Sequence, residues 1–226
     1  MGENAPALEI NELKFKYPGS APNAPWVVDV RSLVLKPGEQ TLLTGASGRG
    51  KSTLLQIIAG LIDPDRGVVR IQGRDIHAIG GAKRDLFRGS KIGMIFQNFN
   101  LLRGFSAREN VLAALMFSEV PRKEHDARAL ELLEIVGIPT PERDVAELSI
   151  GQMQRVAVAR AVATNPSLVL ADEPTASLDP ENAGAAMDLI QSTCQKVGAA
   201  LLCTSHDPSM ADRFTRRESL DQLVTA

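Results

Sequence analysis

Cysteine, tryptophan and tyrosine are scarce in this chain of 226 residues, which has two, one and one of them. The two cysteines, Cys194 and Cys203, cannot make a disulfide framework and lack metal-site spacing. Small buried apolar residues in a reduced setting are expected instead. A long apolar run is also missing. Val111 to Phe117 falls far short of the ~18 apolar residues that a membrane span needs. Any work at a membrane is therefore expected to go through a partner. Met1-Gly2-Glu3-Asn4-Ala5-Pro6 lacks the basic and apolar regions of a signal peptide. Pro6 also stands where a myristoylation pattern needs Ser or Thr. The short stretch after His206 is expected to hold no separate regulatory domain. An excess of one charge is absent as well: 25 Lys and Arg against 27 Asp and Glu leave −2, so nucleic acid is not an expected partner. The basic clusters Arg84, Arg88, Lys91 and Arg213, Arg216, Arg217 fit solvated helix faces.

One segment stands out against this ordinary background. Gly45-Ala46-Ser47-Gly48-Arg49-Gly50-Lys51-Ser52-Thr53 matches the phosphate-loop pattern G-x-x-x-x-G-K-[ST] without a mismatch. Its glycines let the backbone wrap a polyphosphate with successive N–H groups turned inward. Lys51 is placed to reach the β- and γ-phosphates and the Ser52 hydroxyl to meet a magnesium ion. Gln40 to Thr44 reads as a buried strand before the loop, and Ser52 to Ala59 as a helix after it. That helix would aim its N-terminus at the anion.

Elsewhere, Leu8 to Phe15 alternates as a half-exposed strand, Trp26 to Leu35 reads as another, and Val68 to Gly73 as a third. The middle third reads as helices over Glu109–Phe117, Arg122–Val136 and Gly151–Thr164. Ala127, Leu130, Leu133 and Val136 form a stripe at helical spacing, expected to face a core. Apolar strands return at Ser167–Ala171 and Ala199–Thr204 around a helix over Asn182–Lys196. Strands alternating with helices argue for a mainly parallel α/β sheet.

A phosphate loop needs an acid for the metal and a group for water. Leu168-Val169-Leu170-Ala171-Asp172-Glu173 supplies both at a strand end. Asp172 would hold the magnesium shell and Glu173 would act as general base. His206 ends the next buried strand, where a parallel sheet forms its ligand crevice, and is placed to meet a γ-phosphate and hold the water.

With these pieces placed, the chain resembles the nucleotide-binding subunit of ABC transporters over nearly its whole length. Leu148-Ser149-Ile150-Gly151-Gln152-Met153-Gln154-Arg155 is similar to the family signature, with Ile150 where a glycine is usual. The resemblance implies a P-loop NTPase (RecA-like) α/β core with an N-terminal antiparallel β subdomain and an inserted helical subdomain. It divides a single domain, 1–226, into a core of 1–97 and 165–226 and a helical part of about 98–164. It further implies ATP and Mg2+ as cofactors, and a homodimer in which Ser149, Gly151 and Gln152 complete the opposite copy's site. Tyr17 resembles the aromatic that stacks on adenine, Gln97 the glutamine that touches magnesium, and Ala176-Ser177-Leu178-Asp179 the loop coupling the two subunits. Lys91 to Leu102, with Ser106 to Val111, is similar to the lipoprotein-release and macrolide-export group. That implies an ATPase peripheral to the inner face of the cell membrane, held by a transmembrane permease. Phe99 and Phe105 are candidates for receiving a permease helix, with local core packing the equal alternative.

Competing readings are a soluble ABC-type ATPase, a small-molecule P-loop kinase and an ATP-dependent switch with little hydrolysis. The chain has neither a zinc-cysteine cluster nor a second cassette, which disfavours the first. The signature and the Asp172-Glu173 pair disfavour the kinase, and Ile150 is the feature that would suit the switch.

Overall fold

The computed structural model describes residues 5–21, 23–46 and 48–223. Strands β1 (Leu8–Phe15), β2 (Val28–Leu35) and β3 (Gln40–Thr44) precede helix α1 (Lys51–Ile58). Next come β4 (Arg66–Ile71), β5 (Arg74–Asp75), α2 (Gly81–Lys91) and β6 (Ile92–Ile95). Three helices follow in a row, α3 (Ala107–Leu115), α4 (His125–Ile135) and α5 (Ile150–Val162). The chain closes with β7 (Leu168–Asp172), α6 (Pro180–Val197), β8 (Ala200–Thr204) and β9 (Arg216–Ser219).

Two sheets result. The antiparallel one runs β2-β1-β4-β5 and the parallel one β6-β7-β8-β3-β9. The apolar runs of β7 and β8 are explained by burial on both faces. Leu168 and Leu170, with Ala200 and Leu202, join the core that contains α1 and the antiparallel sheet. Val169 and Ala171, with Leu201 and Cys203, join the core shared with α3, α4 and α5. This period-2 split makes the parallel sheet the wall between the two cores. Both cysteines are buried, and burial pushes the Cys194 thiol up to about 12.

Several readings need correction. Leu130 is 41% exposed and Ala127 is exposed. The inward stripe of α4 is Ala129, Leu132, Leu133 and Val136, the true i, i+3, i+4, i+7 set. Phe99 is 6% exposed, so it is a core residue and offers no docking surface. Arg216 and Arg217 lie on β9 and make ion pairs with Glu39, Glu218 and Asp212, so they are not a helix face. Trp26 precedes β2, which begins at Val28.

The helix ends follow local chemistry. Ser106 with Glu109 and Ser149 with Gln152 each make a reciprocal capping box, at the starts of α3 and α5. Asp179 caps α6, accepting from the Asn182 N–H, and Gly198 (φ 71°) ends that helix in the left-handed region.

Candidate functional site

Parallel strands put their carboxyl ends on one edge, and ligand crevices form there. The phosphate loop follows β3, Asp172 ends β7, His206 follows β8 and Gln97 follows β6. A cleft of about 380 Å³ opens at this edge, lined by Tyr17, Gly48, Gly50, Lys51, Ser52, Thr53, Gln97, Glu173 and His206, with Val27 as one wall. Gly45 and Ala46 enter through their carbonyls, which accept from Lys51 Nζ at 2.7 and 3.2 Å. Arg49 points away, 3.8 Å from Asp221. Ser47 lies outside the described residues.

Backbone sterics explain two of the loop's glycines. Gly50 has φ 91°, and a Cβ there would come within 2.2 Å of the Val27 carbonyl oxygen. Gly48 has φ 76° with open space around it, so only its backbone conformation calls for glycine. No acidic side chain occupies the first turn of α1, which leaves the positive end of the helix for an anion.

Glu173 is the hub of the cleft. It takes φ 46°, a left-handed conformation disfavoured for a residue with a Cβ. Its N–H donates to the carbonyl and Oγ1 of Thr204 at 3.2 and 3.1 Å. One carboxylate oxygen stands 3.8 Å from Lys51 Nζ, and the other is 2.8 Å from His206 Nδ1. Thr204 Oγ1 also donates to Asp172 Oδ1 at 2.8 Å. The buried hydroxyl of Thr204 thus holds both acids, a role that sequence reasoning missed. Its signal is a lone polar side chain closing an apolar strand beside the acidic pair. Gln154 was also missed: it is buried on α5 and donates to the Pro174 carbonyl at 3.0 Å, just past Glu173.

Tyr17 is 48% exposed at the rim. Its hydroxyl shares a 2.9 Å hydrogen bond with Thr53, and its ring meets Phe15 edge-on at 5.1 Å. Ser52 and Gln97 are exposed. Ser52, Asp172 and Gln97 offer hydroxyl, carboxylate and amide oxygens. Among the described residues no group of three or more His, Cys, Asp or Glu can hold a metal ion. A donor set with one carboxylate suits a hard cation that keeps water and phosphate oxygens as its other ligands, as magnesium does.

The signature residues stand apart from this cleft. Ser149 is exposed at the start of α5, Gly151 has nothing within 4 Å of a notional Cβ, and neither lines the cleft, nor does Gln152. Ile150 is the first residue of α5 and is absent from the positive-φ residues, so its branched side chain meets no backbone penalty.

The profile of the ABC transporter family matches residues 28–176. The chain belongs to the ABC transporter family. The lipoprotein-releasing system ATP-binding protein LolD of Chromohalobacter salexigens is 39% identical, the match covering 97% of this chain and 95% of that protein. The methionine import ATP-binding protein MetN of Caulobacter vibrioides is 42% identical over 82% of this chain and 56% of its own length. Among solved structures, the dimeric cassette MJ0796 superposes with TM-score 0.80 and 32% identity over 94% of this chain and 93% of that one. A post-hydrolysis dimer of the same cassette, bound to ADP and Pi, gives TM-score 0.79 at 31% identity, with the same shares of both chains covered. The cassette is therefore an ATP-binding, ATP-hydrolysing P-loop domain. Among the described residues no helix is long and apolar enough to cross a membrane.

Proposed function

We propose that this cassette works as one of a head-to-tail pair, and that ATP-driven closure of the pair powers an exporter of the lipoprotein-release type through a membrane permease. The observation that carries this reading is the separation between cleft and signature. Lys51, Glu173 and His206 form one linked group, while Ser149, Gly151 and Gln152, partly or fully exposed at the start of α5, do not line that cleft. A signature outside its own cleft suits a second copy's ATP. The relative named for lipoprotein release spans nearly the same length, which supports the transport class.

In this reading the 45–53 backbone cradles the phosphates, Lys51 leaves its carbonyl partners for the β- and γ-phosphates, and Tyr17 stacks on adenine. Glu173 takes a proton from the attacking water, and His206 holds Glu173 and the γ-phosphate in line. Ser52, Asp172 and Gln97 would hold magnesium, which supplies positive charge against the phosphates when bound. The helical part, residues 98–164, together with Leu61, is the proposed docking side for the permease, on the cytoplasmic face of the membrane. Leu61, Met116 and Phe117 are 50%, 70% and 51% exposed. Leu61 and Phe117 line a shallow cleft of about 280 Å³. Exposed apolar side chains of this kind mark contact surfaces.

Steady-state hydrolysis with nucleotide binding tests the site. Lys51→Ala is expected to lose binding or turnover, and Glu173→Gln to bind ATP while losing at least ~100-fold in turnover. Wild-type hydrolysis in both variants would sink the reading. Recovery of the tagged cassette from membranes with a permease tests the transport half; a purely soluble complex would contradict it.

A further inference from the structure

Backbone strain sits directly beyond Gln97. Phe99 and Asn100 take φ 59° and 47°, two consecutive residues with a Cβ in the left-handed region. The turn is tight: Phe99 N–H donates to the Phe96 carbonyl at 3.0 Å and Asn100 N–H to the Asn98 carbonyl at 2.6 Å. Arg160, in the last turn of α5, reaches over it. Its Nη1 donates to the Asn100 carbonyl at 2.5 Å and its Nη2 to the Phe99 carbonyl at 2.6 Å. Burial lowers the pKa of this guanidinium, but a guanidinium stays charged in proteins, so the fork is charge-assisted.

The mount of the fork is rigid. Gly93 of β6 lies so close to α5 that a Cβ would come within 2.1 Å of the Ala161 carbonyl oxygen. β6 leads into Gln97 from one side, and the turn held by Arg160 leads out of it on the other. Ser177 Oγ donates to the Gln97 carbonyl at 3.3 Å, a third restraint. Ser149 caps the start of α5, so one helix carries both the signature and the fork.

We propose that Arg160 is a positioning residue for Gln97: its fork holds the 99–100 turn in the left-handed form and so sets where the Gln97 amide stands at the cleft. This rests on the reading of Gln97 as a group that would hold magnesium. Lysine keeps the charge but not the planar fork. In the full chain, Arg160→Lys is expected to lower kcat about tenfold, as a weakened charge-assisted contact would. KM for ATP stays within about twofold, and half-maximal activity needs several-fold more magnesium. Adding Asn100→Gly to Arg160→Lys restores kcat to within about threefold of wild type, since glycine takes this φ freely. Adding Arg160→Lys to a slowed Gln97→Ala variant changes kcat less than about twofold. Failure of the glycine rescue, or effects of Arg160→Lys and Gln97→Ala that multiply, would overturn the proposal while leaving the Gln97 reading intact. Wild-type turnover in Gln97→Ala would overturn the Gln97 reading itself. Asn100→Val keeps the test open if Arg160→Lys does not fold. Its branched Cβ resists the turn with Arg160 intact, so slowed, magnesium-shifted turnover is expected, and wild-type kinetics would count against the inference.

Discussion

Thr204 shows how much a single hydroxyl carries in this site. Fully buried, it donates to Asp172 at 2.8 Å and accepts from the strained Glu173 backbone at 3.1 Å. Thr204→Val keeps the shape and removes both bonds. Chemical denaturation is expected to show a loss of about 1–3 kcal/mol, the cost of leaving buried polar groups unpaired. Turnover is expected to fall about tenfold, one step of barrier height. The loop glycines give a second contrast. Gly50→Ala drives a Cβ into the Val27 carbonyl, whereas Gly48→Ala meets only backbone strain. ATP binding is therefore expected to be lost in Gly50→Ala and to survive in Gly48→Ala, with a stability cost of about 1–3 kcal/mol in the latter. The residues of the cleft were legible because each sits in a pattern tied to strand ends. Thr204 and Gln154 were not, because their partners are backbone and carboxylate groups distant in sequence.

At the scale of elements, legibility followed periodicity. β7 and β8 announce themselves as apolar runs, and α5 and α6 as capped, apolar-faced helices. β9 is Arg-Arg-Glu-Ser, polar throughout, and exists because it pairs with β3 at the sheet edge. α2 carries five charged residues in eleven and buries only Ser90, so its sequence shows it as a solvated helix face and not as an apolar stripe. Part of its anchorage is electrostatic. Arg84 donates to Asp63 at 2.6 Å, and His77 stands between Asp63 and the Ile57 carbonyl at the end of α1. The His77 hydrogen bond leads in holding the Asp63 carboxyl below its usual range; partial burial opposes this, and Arg84 adds to the lowering. A depressed folded pKa stabilises fully above the unfolded carboxylate value, about 3.9, and is lost as pH falls through the lower folded value. Asp63→Asn lacks this dependence. Its Tm is expected to fall less steeply than wild type below about pH 4; parallel curves would show that the contacts around Asp63 carry no linked stability.

For the whole molecule, the parallel order β6-β7-β8-β3-β9 brings four chain segments to one edge, so residues from Lys51 to His206 share one cleft. The alternation of strands and helices made the sheet type readable. The strand order was not readable, because it depends on which crossovers bury both faces. Ile150 marks the boundary between pattern and geometry. As a departure from the glycine usual there, it suggested a conflict, yet at the first turn of α5 it needs no special backbone. Ile150 therefore gives no backbone argument against the proposed ATP-dependent pairing with a second copy, which is the central claim. Light scattering of the Glu173→Gln variant with saturating ATP and magnesium tests it most directly. The expected result is an ATP-dependent dimer that disappears when Ser149→Arg is added at the exposed start of α5. A Glu173→Gln variant that binds ATP and stays monomeric would contradict the account.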